Sequence, residues 1–252
     1  MEVMAFYNKE DLQDIHKGLH AITSEKGDLY SAWFSIKLQS EAQDYAYNGF
    51  LGRMKALSHC IERIFHHCPP EIETIKSDEL DDTTIFMQSF IFNVFGAIDN
   101  LAHVINFEKN LNLKKYDIGL TKKFKKFRGN VSQDFQDKLH ELDKSGWFDY
   151  CENFRHALAH RIPLYIPPYI VTPDKVASHQ EAEQKWHTAL SNCEPVKAEL
   201  FEKEMQKLGV FQPFITHGFN EEHKKMCFHS QVIADWRTLL ELSKLTLAEL
   251  TF

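Results

Sequence analysis

Proline is absent from residues 1–68 and again from residues 71–162. An internal proline removes a backbone hydrogen bond and collides with the preceding helical turn, so proline-free stretches of this length are where helices can run unbroken. Ten glycines and eight prolines in 252 residues fall below average usage, which argues against an all-β or collagen-like chain. With 43% hydrophobic and 26% charged residues, the composition is that of an ordinary packed chain rather than a disordered one. The expectation is an all-α fold, with residues 1–252 forming a single predominantly helical domain.

Asn8 is expected to cap a first helix running to about Thr23, and a second helix starts near Asp28 and carries Trp33, Ile36 and Leu38. A third is marked by Phe50, Met54, Leu57, Ile61 and Ile64, which recur on one helical face until Pro69-Pro70 stops it. The acidic cluster Glu71–Asp82 reads as the solvated entrance to the next helix, where negative charge suits the helix dipole. That helix, about Leu80 to Phe107, is apolar on most sides and is expected to be central and buried. One narrow polar line crosses it, formed by Ser89, Asn93, Gly96, Asn100 and His103, with Asp99 at its margin. Such a line serves either close helix packing with satisfied interhelical hydrogen bonds or the polar wall of an active site. On the second reading Asp99 and Asn100 support the chemistry.

Residues 109–128 carry eight lysines and arginines against one acid, Asp117. In the densest part, Lys122, Lys123, Lys125, Lys126 and Arg128 are interleaved with Phe124 and Phe127. Basic and aromatic side chains in alternation suit the phosphate backbone and unstacked bases of RNA. The alternative is a solvated segment whose charge is balanced by the acidic run before it. A net charge of −7 excludes an obligate nucleic-acid-coating protein and leaves room for a local basic patch.

The most informative stretch is Gly146–Pro163. Trp147, Cys151, Phe154 and Leu158 form an apolar stripe, while Asp149, Glu152, Asn153, His156 and His160 project from the other side. Pro163 ends the helix, because the residue before a proline is pushed out of helical geometry. Four of the eight prolines fall in Pro163–Pro173, so the chain should run extended through Tyr165–Val171, with Phe211–Ile215 as a candidate partner in a small hairpin. Further helices are expected over Ser178–Leu190, Glu194–Leu208 and about Cys227–Leu250, the last burying Val232, Trp236, Leu239 and Leu240. No Gly-rich phosphate loop, G-x-S-x-G elbow or H-E-x-x-H motif occurs.

Arg155 and His160 stand in R-x4-H spacing, with His156 directly after the arginine. Six arginines and 14 histidines in 252 residues give that spacing by chance about 0.3 times, so its weight rests on context: the polar side of an amphipathic helix, beside Asn153, closed at once by Ile162-Pro163. The run Arg155–His160 resembles the motif of the HEPN superfamily, all-α domains whose catalytic members carry R-x4-H near a helix end. A polar residue often follows the arginine there, and His156 stands where asparagine is more usual. The longer run NFRHALAHRIPLYIPPY is similar to bacterial HEPN-like proteins.

The resemblance covers about residues 80–165 as a HEPN-like core, with residues 166–252 as a C-terminal helical extension. It implies a HEPN-like helical bundle; the additional N- and C-terminal helices and one short β-hairpin are expected from the residues themselves, not from the resemblance. The resemblance also implies a metal-independent endoribonuclease, commonly a homodimer, with no cofactor. HEPN toxins paired with a nucleotidyltransferase antitoxin often continue the motif as R-x4-H-x-Y. Ile162 occupies that tyrosine position here, so the antitoxin partnership is not carried over.

The residue types suit such chemistry. Cleaving RNA without a metal requires the 2′-hydroxyl to lose a proton, the phosphate charge to be met, and the 5′-oxygen to leave protonated. Histidine titrates near neutral pH and can act as base or acid; arginine stays charged and can bind two phosphate oxygens at once. The assignment is therefore His160 for proton transfer and Arg155 for the phosphate, with His156 and Asn153 in support. Residues five apart on a helix lie about 140° apart around its axis. Two copies of the motif meeting across a two-fold axis would set a base and an acid on opposite sides of one phosphate.

The residues leave two alternatives open. Glu152, His156 and His160 follow one another at i, i+4 steps and could hold a metal ion, with His103 or His229 as a third-element ligand. Arg155 and His160 could instead only finish the helix, in a non-catalytic module that binds RNA, a nucleotide or a protein. His16 with His20, and His59, His66 and His67 beside Cys60 and Cys68, show no metal-ligand pattern. Five cysteines, odd in number and without a C-x-x-C pair, suggest neither a disulfide framework nor a zinc ribbon. The N-terminus does not read as a secretory signal, and Ile85–Ile98 is too short for a membrane span. The expected setting is the cytoplasm; the expected partners are RNA, a second copy of the chain and a regulatory protein, with no membrane.

Overall fold

A computed structural model describes residues 6–217 and 226–250. Helix α1 (Lys9–Phe34) begins where Asn8 and Asp11 cap each other reciprocally, through N–H···Oδ hydrogen bonds of 2.9 and 3.2 Å. The break expected between Thr23 and Asp28 does not occur. Trp236 Nε1–H donates to Glu25 at 2.8 Å and Lys26 Nζ donates to Ser58 at 3.1 Å. These tertiary contacts carry the helix through Gly27, whose propensity penalty is only about 1 kcal/mol.

Helix α2 (Ser40–Gln43) runs into a π-helical stretch, Asp44–Leu51, and then into α3 (Gly52–His67). The five apolar residues that predicted this element, Phe50, Met54, Leu57, Ile61 and Ile64, are all fully buried. After Pro69-Pro70 comes α4 (Ser77–Glu108), with Asp78 and Glu79 in its first turn. The α4 helix ends in a turn where Leu111 N–H reaches back to the Asn106 carbonyl at 3.0 Å and Asn110 takes a left-handed conformation, φ 51°.

The basic segment that follows is mostly irregular, with a 3-10 turn at Lys115–Asp117 and one short α-helix, α5 (Lys125–Arg128). Helices α6 (Gln133–Ser145) and α7 (Trp147–His160) meet at Gly146, φ 77°. No neighbour would meet a Cβ at Gly146, so it is the backbone conformation and not space that selects glycine. The α7 helix ends at Arg161, whose extended backbone leads into Pro163.

The proline-rich run is extended as expected, but its pairing is richer than one hairpin. Tyr165 bridges to Thr216 through two backbone hydrogen bonds, and β1 (Ile170–Val171) pairs antiparallel with β2 (Gly209–Val210). A separate ladder joins β3 (Phe214–Ile215) to β4 (Met226–Cys227). Between β1 and β2 the chain inserts a helical hairpin, α8 (Val176–Ser191) and α9 (Pro195–Leu208), and it closes with α10 (Phe228–Leu250).

Helix α4 is central, packed against α3, the π-helical stretch, α7 and α10. It is long and apolar enough to cross a membrane, and thirteen of its residues, from Thr83 to Asn106, are buried in the bundle. A second internal anchor lies between α7 and α10. Asp235, fully buried, accepts hydrogen bonds from Trp147 Nε1 (2.7 Å), Tyr150 Oη (3.1 Å) and Gln231 Nε2 (2.7 Å). Burial pushes its carboxyl up to about 6 against the pull of those three donors. Together these contacts fix α7, the carrier of the R-x4-H motif, on both sides.

Candidate functional site

Helix α7 buries Cys151, Phe154 and Ala157 and turns its other side outward. There Asp149, Glu152, Asn153, Arg155, His156, Ala159 and His160, joined by Lys123, line a cleft of about 530 Å³. Arg155 and His160 thus reach one cleft despite their angular separation, because the cleft wraps the outer side of the helix. The Arg155 guanidinium is held: its Cζ lies 4.2 Å from the centroid of the buried Phe95 ring of α4. Such a cation–π contact contributes about 0.5–2 kcal/mol. The His156 and His160 rings stand 5.0 Å apart, edge to face. One and a half turns of α7 therefore offer a fixed cation and two imidazoles.

Asp99 lies in an adjoining cleft of about 520 Å³ that it shares with Arg155, Lys123 and Phe95. Burial raises its carboxyl above the usual carboxylate range, and the positive charges of Arg155, Lys123 and Arg53 oppose that rise. Asn100, its neighbour in sequence, faces elsewhere. It accepts from Arg53 Nε at 2.9 Å, while Asn93 accepts from Arg53 Nη1 at 3.3 Å. A Cβ on Gly96 would stand 2.3 Å from the Arg53 guanidinium carbon, and one on Gly49 would stand 2.8 Å from Asn100. The polar line of α4 is thus largely a packing seam that admits the Arg53 side chain; Asp99 and His103 are the members that border clefts.

The basic segment is less exposed electrostatically than its sequence suggests. Lys122 pairs with Asp149 and Lys123 with Glu152, each at 2.9 Å, and Lys126 pairs with Asp117 at 3.3 Å. Arg128 is mostly buried, gripping Asp143 with two nitrogens (2.5 and 3.1 Å) and the Leu120 carbonyl at 2.7 Å. Lys125 is exposed. The balancing acids come from α6, α7 and the segment itself and not from Glu71–Asp82, whose members pair with His16, His67 and Lys76. Of the five basic residues singled out, Lys123 alone lines the motif cleft.

Glu152, His156 and His160 do not assemble into a metal site: among the described residues, no group of three His, Cys, Asp or Glu side chains could hold a metal ion. His229 is fully buried, with Nε2–H donating to the Cys68 carbonyl at 2.6 Å and Nδ1 accepting from Tyr7 at 3.3 Å. Burial favours the neutral ring, in which Nδ1 can accept from Tyr7, and lowers its pKa to about 4. His103 stacks on Tyr45 at 4.5 Å between ring centroids.

Sequence reasoning missed Arg53, Phe95 as the platform for Arg155, and Lys115 and Tyr116 as cleft residues. Only Gly96, a small residue in a line of large ones, signalled that something approaches α4 there.

A family model described as HEPN_Cthe2314-like HEPN matches residues 56–210. No curated protein and no solved structure matches the chain. The matched region runs from within α3 to β2 and includes α4, the basic segment and the whole of α7.

Proposed function

The chain belongs to the HEPN_Cthe2314-like HEPN family, and from that premise we propose that it is a metal-independent endoribonuclease working through Arg155 and His160. The observation that carries the reading is the Arg155 guanidinium stacked on Phe95 at the edge of a cleft that also receives His156 and His160. A pre-positioned cation meets the charge that grows on a phosphate under attack, and it needs no reorganisation when the reaction occurs. His160 moves the proton: the RNA 2′-oxygen gives up its proton and bonds to phosphorus, and the P–O5′ bond breaks. The departing 5′-oxygen takes a proton, leaving a 2′,3′-cyclic phosphate. His156 and Asn153 line the same cleft and support the imidazole and the substrate.

The cleft has walls from α7 and Lys123 alone, which favours a site completed by a second copy. Ile85 and Phe92 are exposed one heptad apart on α4, and Ile162 is exposed just past α7, at 60%, 44% and 61%. Exposed apolar side chains of this size suit a homodimer contact. The five cysteines are free, which fits a reducing cytoplasm.

The test is to compare Arg155→Ala and His160→Ala with wild type for folding and for RNA cleavage. The ribonuclease reading expects folded proteins without cleavage. A binding module in which both residues only finish the helix expects lost stability instead. Mixing the two inactive variants should restore some activity if each site combines residues from two copies; full activity in a strictly monomeric form would remove the composite site.

A further inference from the structure

The motif cleft does not end at Arg155. Arg155 and Lys123 also line the second cleft, of about 520 Å³, and its residues His103, Lys115 and Ile118 also line a third, of about 560 Å³. Each is within the size range of ligand clefts, about 300–1,000 Å³, and each shares a wall with the next. Their shared residues set the three clefts in a row from the outer side of α7 to the C-terminal end of α4, and the row is read as one groove.

Its furnishings change along the way. The motif cleft holds the cation and imidazoles; the second presents Lys115, Lys123, Tyr116 and Phe124. Tyr116 is 71% exposed and Lys114 sits over its ring, with Nζ 5.8 Å from the centroid. Phe124 is held against Gly119, where a Cβ would stand 2.3 Å from the ring, and carries Lys123 Nζ at 5.1 Å from its centroid. The third cleft is walled by Tyr45 stacked with His103 and Phe107. Cations and flat rings recur along these clefts beside the carboxylates of Asp149, Glu152, Asp99 and Glu41; cations with aromatic rings are the combination that holds a nucleic-acid backbone while unpaired bases stack.

We propose that this groove carries single-stranded RNA away from the phosphate at Arg155, with Lys115 and Lys123 along the backbone and Tyr116 stacking on an unpaired base. The proposal rests on the reading of the motif cleft as the RNA-cleaving site, and it specifies the form of RNA. An A-form duplex keeps its bases stacked on one another and offers none to Tyr116.

The experiment measures binding in EDTA of a fluorescein-labelled 12-nucleotide oligoadenylate, and of a 12-base-pair RNA duplex, to the His160→Ala protein. In that background, Tyr116→Ala should weaken single-strand binding about tenfold and Tyr116→Phe should keep it. Lys115→Ala should lower the salt dependence by about one phosphate contact. The duplex should bind more weakly and ignore Tyr116. Equal affinity for both RNAs, or unchanged single-strand binding in Tyr116→Ala, overturns the groove. Because binding is read without turnover, the two readings fail separately. Tyr116-dependent binding with no wild-type cleavage supports the groove and removes the catalytic assignment. Cleavage by wild type with Tyr116-independent binding removes the groove and keeps that assignment.

Discussion

The guanidinium of Arg155 lies over Phe95, with its Cζ 4.2 Å from the ring centroid, so the motif arginine of α7 is oriented by the central helix α4. Lysine keeps the charge but has neither the planar fork nor the stacking face of arginine. Arg155→Lys should therefore lose cleavage by roughly 10²–10³-fold, the scale of removing one transition-state donor. Its unfolding free energy should move by less than about 1 kcal/mol. Steady-state cleavage beside denaturant unfolding of the same preparation checks this; retained activity would assign Arg155 a purely electrostatic role.

Glu152 faces the motif cleft and holds Lys123 at 2.9 Å. An incoming phosphate must compete for that lysine. Glu152→Gln should tighten RNA binding several-fold, most at low salt and less as salt screens the charges, with little change in stability. A titration of RNA affinity against salt for both proteins measures it. A metal site using Glu152 predicts the opposite, since removing a ligand would weaken function.

Two buried groups give stability opposite dependences on pH. His229 is held neutral with its pKa lowered to about 4, so its contribution is present above the unfolded value near 6.5 and is lost as pH falls through 4. Asp235 is raised to about 6, so its contribution is present below the unfolded value near 3.9 and is lost as pH rises through 6. Each is worth roughly 3 kcal/mol at full extent by the size of its shift. Between pH 6 and 4, stability should fall more steeply in Asp235→Asn than in wild type, and should rise in His229→Gln. Parallel curves for all three proteins would show that neither group titrates as its burial requires.

Gly27 and Gly96 are both glycines inside helices, with opposite surroundings. No neighbour would meet a Cβ at Gly27, whereas one at Gly96 collides with the Arg53 guanidinium. Gly27→Ala should stabilise by about 0.5–1 kcal/mol. Gly96→Ala should expel Arg53 from Asn93 and Asn100 and cost about 1 kcal/mol net, and in an Arg53→Ala background the same change should become neutral or stabilising. A double-mutant cycle by denaturant unfolding reads the coupling.

The elements legible in the sequence were those whose signal is local. The face through Phe50, Met54, Leu57, Ile61 and Ile64, the proline stop after His160 and the Asn8 cap each depend on neighbours within a few turns, and each matches the structure. The false break before Asp28 arose because Glu25 and Lys26 are fixed by Trp236 and Ser58, partners too distant in sequence to be read. The motif helix could be found from residue types alone. Its setting could not: Phe95 under Arg155, Arg53 in the α4 seam and the acids that hold Lys122, Lys123 and Arg128 are all tertiary pairings. Charge counting along residues 109–128 overstated the free positive charge for the same reason.

On the function proposed above, His160 moves a proton in RNA cleavage that needs no metal. The most direct measurement is to incubate mixed RNA with wild type and with His160→Ala in EDTA and to identify the product ends. Wild-type fragments should end in 2′,3′-cyclic phosphate, and the variant should leave the RNA intact. Equal cleavage by the two proteins would contradict that role.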